Sequence, residues 1–212
     1  VALGGIGTGG LAPASDGSFS RWTITGGGIS HFELPANGFI LRVDDGEKQA
    51  LALQPAPSDQ TLSAFSFSQE TPDWAGLFPF AWTEHPPLGD VSAQCLAFSP
   101  VFPGDLSTSA LPVALFRWRL TNNGAKPTDT TLVFHMANMN GCFSEFREGR
   151  PTRVAAGLEN RDMDQEDCAG VLFDRRRAGP EPIEGDGQWG IALKSSEGAS
   201  TSLTTCFDGQ SD

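Results

Sequence analysis

The sequence is short of several things, and each shortage narrows its chemistry. No apolar run approaches the roughly 18 residues of a membrane-spanning helix. Basic residues are few, 14 Lys and Arg against 26 Asp and Glu, for a formal net charge of −12. A field of that sign repels nucleic acid and anionic lipid, so neither is expected as a partner. The four cysteines (Cys95, Cys142, Cys168, Cys206) are 47, 26 and 38 residues apart and form no Cys-x-x-Cys pair. In a chain of 212 residues that pattern implies no disulfide framework, and buried or incidental thiols are the expectation. The chain starts at Val1 with neither a basic leader nor an apolar stretch behind it, which tilts the expected compartment towards the cytoplasm. His31, His85 and His135 lie about fifty residues apart with no Cys or carboxylate at ligand spacing, so no metal and no cofactor are expected. A Gly-x-Ser-x-Gly elbow is missing, and no Cys/His pair stands out. Glycosidase chemistry needs two carboxyl groups flanking the scissile bond, and nothing singles out such a pair among 26 acids. The residues alone show no catalytic centre in this chain.

What is plentiful is turn material and large apolar side chains. Glycine (25) and proline (15) punctuate the chain, while 15 Phe and 5 Trp lift the hydrophobic share to 39%. That composition supports a folded core, and the length suits one domain over 1–212. Charge is uneven: the first fifteen residues carry none, whereas 18 charged residues fall between Glu145 and Asp186. The contrast predicts a buried or docked amino terminus and a solvated excursion later on.

Strand signals dominate. Phe116, Trp118 and Leu120 alternate with Arg117 and Arg119 and stop at Asn122-Asn123-Gly124, predicting a hairpin whose partner strand covers Leu132–Met136. Gly38–Val43 ends at Asp44-Asp45-Gly46, a second hairpin signal, and Gln49–Leu53 resumes the pattern. Val91–Phe98, Gly190–Leu193 and Thr201–Phe207 also read as strands. Leu158–Ala169 is the one helix candidate, without a clean apolar stripe. Residues 144–187 read as a loop or insertion. The fold class expected is all-β, an antiparallel β-sandwich with long loops and little helix.

Three motifs have ordinary explanations. Gly5, Gly7 and Gly10 spell Gly-x-Gly-x-x-Gly, but too few residues precede them for a dinucleotide-binding strand, and turn material follows. They suit close backbone approach or positive φ. Arg161–Asp167 clusters four carboxylates without the glycine or closing Glu of a calcium loop. Arg175-Arg176-Arg177 lies nearby in sequence, and pairing with those acids is the expectation.

Two stretches carry a resemblance. The first is Leu3-Gly-Gly-Ile-Gly-Thr-Gly-Gly-Leu11 followed by Gly17-Ser-Phe-Ser-Arg-Trp22. The second is Phe98-Ser-Pro-Val-Phe-Pro-Gly-Asp105, then Ser109–Phe116 and Leu120-Thr-Asn-Asn-Gly124. With Phe80-Ala-Trp82 and Phe207-Asp208 in the same order, the chain resembles the amino-terminal domain of glycoside hydrolase family 116, the bile-acid β-glucosidase or non-lysosomal glucosylceramidase family. The likeness is strongest over 1–46 and 79–124 and lapses between 138 and 186, where relatives carry a Trp-containing glycine-rich loop.

The resemblance implies a β-sandwich packed on a carboxy-terminal (α/α)6 barrel. That barrel carries both catalytic carboxylates of a retaining β-glucosidase, and no catalytic residue of the family falls on this chain. Its implied partners are that barrel, in the same polypeptide, and a β-glucoside substrate through the parent enzyme. An interdomain docking surface or pocket wall is expected at Gly5, Gly7, Thr8, Gly9, Arg21 and Trp22, since Arg and Trp are enriched at interface centres. The competing reading puts Trp22 in the core, with Arg21 capping it or paired with an acid. Such a surface leaves a larger apolar patch than monomers usually expose. The alternative is a free-standing carbohydrate-binding sandwich that stacks tryptophans on sugar.

Overall fold

The computed structural model describes residues 1–19, 21–23, 30–31, 37–56, 65–140, 142–147, 150–153, 157–165, 168–176, 187–196 and 198–205, with side chains outside the description at 21, 30–31, 142–147, 150–153 and 165. The described residues are nearly all β, with several antiparallel sheets and no long helix. None of their helices is long and apolar enough to cross a membrane. The chain forms two compact units, one over Val1–Met136 with Gly209–Asp212, the other over Ala137–Asp208.

Among the described residues, the first unit holds three sheets. The amino-terminal one is a run of short antiparallel strands, β1 (Leu3–Gly5), β2 (Gly9–Ala12), β3 (Arg21–Thr23) and β4 (Ser30–His31). A second sheet is built from β5 (Gly38–Asp44), β6 (Lys48–Ala52), β7 (Ser66–Phe67) and β12 (Asp129–His135), in the order β12-β5-β6-β7. Between these in sequence come β8 (Asp73–Leu77), β9 (Phe80–Leu88), β10 (Val91–Phe98) and β11 (Leu115–Asn122), which make an antiparallel sheet in the order β11-β10-β9-β8. The expected turn at Asp44–Gly46 joins β5 to β6. Asp44 pairs with Lys48, and Gly46 adopts φ +112°, a conformation that favours glycine.

Aromatic side chains join the second and third sheets. Phe39 of β5 stacks on Phe134 of β12 at 4.5 Å and meets Trp118 and Phe116 of β11 at 4.8 and 5.4 Å. Phe19 adds an edge-on contact to Phe116 at 5.7 Å. Rings in tilted or edge-on packing contribute beyond the area they bury. On β10 the period-2 pattern is clean: Val91, Ala93, Cys95 and Ala97 are buried while their neighbours are not. The uncharged amino terminus is docked within this unit, because Leu3 is buried with Ala81, Cys95 and Ala97, and Val1 packs on that cluster.

The hairpin expected at Asn122–Gly124 does not form. β11 pairs with β10, from Leu115 opposite Phe98 to Asn122 opposite Val91, and β12 pairs with β5 in the other sheet. The connection is a corner between sheets, held by the Asn122 side chain and a backbone bond. Asn122 Nδ2 donates to the Lys126 carbonyl at 2.7 Å, its Oδ1 accepts from Gly124 N at 2.9 Å, and Asn123 N donates to the Asp90 carbonyl at 2.9 Å.

The second unit contains a hairpin, β13 (Cys142–Arg147) with β14 (Arg150–Arg153), and a three-stranded sheet of β15 (Leu158–Gln165), β16 (Cys168–Arg175) and β17 (Trp189–Leu193). Two expectations are corrected here. The helix candidate at 158–169 is β15 and the start of β16, paired from Leu158–Arg175 to Gln165–Cys168. The stretch 144–187 carries most of four strands and is no plain loop. Polar β15 is a strand because apolar β16, with Val171 and Phe173 buried, gives it a ladder. Residues 201–205 form no strand; 206–207 lie outside the described residues.

Ion pairs in this unit differ in detail from the sequence reading. Arg161 pairs with Asp174, and Arg176 with Glu159 at 3.5 Å. Arg177, Glu166 and Asp167 lie outside the described residues. Buried Asn138 donates to the carbonyls of Glu159 and Asp174 at 3.2 and 2.9 Å and accepts from Asn140 N at 3.1 Å. Those bonds leave the buried amide well satisfied.

Candidate docking surface

The glycine-rich hairpin is seated on the connection between β10 and β11. Buried Ser99 stands at the joint, where its Oγ accepts from Gly4 N at 2.7 Å and donates to the Val113 carbonyl at 2.8 Å. Two further bonds reach the far end of the connection, from Ile6 N to the Ser109 carbonyl at 2.9 Å and from Thr8 Oγ1 to the Ala110 carbonyl at 3.0 Å. The connection is braced in turn. Asp105 caps the short helix α1 (Leu106–Ser109) by accepting from Thr108 N at 3.0 Å, and buried Ser109 Oγ accepts from Phe102 N at 2.9 Å. The Thr108 hydroxyl and amide hold the Asp105 carboxyl below the usual carboxylate range.

Close approach explains the glycines. A Cβ at Gly5 would collide with the Ala110 carbonyl, and one at Gly10 with the Leu3 carbonyl across the β1–β2 pair. Gly7 differs: at φ +77° it meets nothing within 4 Å and forms the exposed tip of the turn with Ile6 and Thr8. Of the six residues expected at a docking surface, Gly5 and Gly9 lie in the seated part of the hairpin, and Gly7 and Thr8 are at its exposed tip. Trp22 belongs to the interior. It is 3% exposed, and its Nε1 donates to the Phe19 carbonyl at 2.9 Å, so no face of the indole is left for a partner. Arg21 is in β3, with its side chain outside the description.

Sequence reasoning did not assign the larger surface, the outer face of the β8–β11 sheet, to docking, and reached it only through Trp82, one of the tryptophans that the carbohydrate-binding alternative would stack on sugar. Registers align its outward side chains in rows across the four strands. Leu77, Phe80, Phe98 and Leu115 make the row beside the β10–β11 connection. Ala75, Trp82, Leu96 and Arg117 make the next. Asp73, Glu84, Gln94 and Arg119 make the third. The face thus grades from wholly apolar to wholly polar. Leu77 is 70% exposed, Trp82 43%, Leu115 40% and Phe80 38%, although Phe80 lies only 5.8 Å from Trp82 and 6.0 Å from Phe98 between ring centroids. The connection adds exposed Phe102, Leu106 and Leu111. The signal in the sequence was β10 itself, whose outward residues run Ser92, Gln94, Leu96, Phe98.

The inner side of the same sheet holds its two most perturbed groups. Burial pushes the Cys95 thiol up to about 12 and the His85 imidazole down to about 4. Cys95 is therefore an inert thiol. His85 is a neutral ring stacked on Trp118 at 5.6 Å, with no hydrogen-bond partner for Nδ1 among the described residues. Among the described residues, no three His, Cys, Asp or Glu side chains converge as a metal site would require.

A family model described as beta-glucosidase 2, glycosyl-hydrolase family 116 N-term, matches residues 1–212. The chain belongs to this family. It is thus the amino-terminal domain of a glycoside hydrolase, and the description amino-terminal implies a carboxy-terminal partner domain. Both compact units fall within the matched span.

Proposed function

We propose that these 212 residues are the non-catalytic amino-terminal part of a retaining β-glucosidase of the glucosylceramidase-like kind, bracing a carboxy-terminal (α/α)6 barrel that carries both catalytic carboxylates. The family match over the whole chain carries this reading. Two features of the molecule support it. Among the described residues, the side chains whose titration is shifted most, His85 and Cys95, are sealed in the sheet interior and cannot reach a substrate. The exposed surface instead offers a broad apolar face beside a rigidly seated hairpin, which suits a structural role. In this role Ile6, Gly7 and Thr8 present the hairpin tip to the barrel, while Gly5 and Gly9 keep that tip in place.

The test is turnover of aryl β-glucosides by the full-length polypeptide and by residues 1–212 alone. The reading predicts hydrolysis by the first and none above the uncatalysed rate by the second. Appreciable turnover by the short chain overturns it. A free-standing carbohydrate-binding module is the second reading, favoured by the exposed neighbouring rings of Phe80 and Trp82. It requires the isolated chain to bind β-glucosides in calorimetry.

A further inference from the structure

The outer face of the β8–β11 sheet needs a cover that the described residues do not supply. A monomer seldom leaves a contiguous patch of this kind in water, and the neighbouring sheet shows that this chain covers such a face where it can. There Ile40 and Ala52 are buried under Phe65, with Phe67 and Val133 packed alongside. On the β8–β11 sheet nothing comparable among the described residues lies over Phe80 and Trp82.

We propose that this face, centred on Phe80 and Trp82 and edged by Arg117 and Arg119, is where the carboxy-terminal domain of the same polypeptide seats. The proposal rests on the domain reading above and goes beyond it by naming the surface and the chemistry of its counterpart. Three observations choose this occupant. The family description implies a carboxy-terminal partner domain in the same polypeptide, where tethering would keep it at high effective concentration. The rows match one side of an interface, where aromatic and apolar side chains give way to Arg, Gln and carboxylates at a polar margin. Arg117 and Arg119 are exposed and have no ion pair among the described residues, although the chain carries a net charge of −12. In the second unit, by contrast, Arg161 and Arg176 each have a carboxylate partner. The counterpart surface therefore presents apolar side chains to the Leu77–Leu115 row and carboxylates to the two arginines. A sugar ligand would require polar groups interleaved with the rings, and the row through Phe80 has none.

Hydroxyl-radical labelling of the full-length enzyme, read by peptide mass spectrometry, tests the proposal with an internal reference. Trp74 on β8 is 39% exposed, close to the 43% of Trp82, but it is opposite Thr83 and points to the other side of the sheet. Docking predicts that Trp82 labels at least about fivefold more slowly than Trp74, at any protein concentration and without added sugar. R117E/R119E is expected to bring the Trp82 rate up towards that of Trp74, whereas R117K/R119K keeps most of the protection. Equal rates in the unaltered enzyme overturn the proposal. So does protection that disappears on dilution, which would assign the face to a second copy. Protection that appears only with added cello-oligosaccharide assigns it to sugar and overturns the proposal too. Aryl β-glucoside hydrolysis by the same preparation separates the two levels: activity with a freely labelled Trp82 removes this interface and leaves the domain reading standing.

Discussion

The two sheets that share the aromatic core of the first unit treat their outer faces in opposite ways. Behind β5, the chain returns through Phe65 and β7 and seals Ile40 to 1% exposure. Behind β9, Phe80 and Trp82 remain open among the described residues although both are large aromatic side chains. Strand composition therefore does not decide which face is covered; the presence of a returning segment does. A sheet with a buried inner side and apolar rows on its outer side, without such a segment, suits a second layer from elsewhere.

Truncation should expose that difference most strongly. Phe39→Ala, at the centre of four ring contacts, is expected to cost about 3–5 kcal/mol, and Ile40→Ala about 2–5 kcal/mol. Trp82→Ala, on the open face, should change the stability of residues 1–212 by less than about 1 kcal/mol. Urea unfolding of the three variants measures this directly. A Trp82 cost equal to that of Ile40 would mean that the open face is already packed.

The two sides of β9 give a second contrast, this time in pH. His85 titrates near 4 in the folded chain and near 6.5 unfolded. Between those values the unfolded state binds the extra proton, so stability is complete above pH 6.5 and falls as the pH drops towards 4. The loss is of the order of 3 kcal/mol. Unfolding midpoints of the parent and His85→Gln across this range should converge as the pH falls; parallel curves would refute the assignment.

Smaller effects are expected in the amino-terminal hairpin. Ser99→Ala leaves Gly4 N and the Val113 carbonyl without their shared partner, at about 1–3 kcal/mol. Gly10→Ala drives a methyl into the Leu3 carbonyl and should cost about the same. Gly7→Ala has open space and only its φ of +77° to contend with, so about 1 kcal/mol is expected. Thermal melts that rank Gly7 with Gly10 would show that the hairpin is not seated as described.

Local signals in the sequence translated well. The Asp-Asp-Gly turn after β5, the bounds of β10 and the alternation along β11 all follow from turn chemistry and period. Pairing did not. Asn-Asn-Gly after Leu120 looks the same whether a hairpin or a corner follows, and Asn122 decides the matter by bonding to Lys126, four residues on. The charged strand β15 was equally hidden, because its strand character comes from β16. At the candidate surface, the close approach of the glycines was legible, but the choice between core and surface for Trp22 was not: nothing in an Arg-Trp pair says which side of a short strand is buried. The bareness of the β8–β11 face was hidden for a related reason, since Phe80-Ala-Trp82 reads alike under a cover or without one.

The account rests on a division of labour within one polypeptide, and trapping the glycosyl-enzyme ester tests that most directly. A fluorinated β-glucoside inactivator esterifies the nucleophilic carboxylate of a retaining enzyme, and digestion then locates the labelled peptide. The prediction is a label wholly outside residues 1–212, with none on the acids of either compact unit. A glucosyl ester on any Asp or Glu of this chain would contradict it.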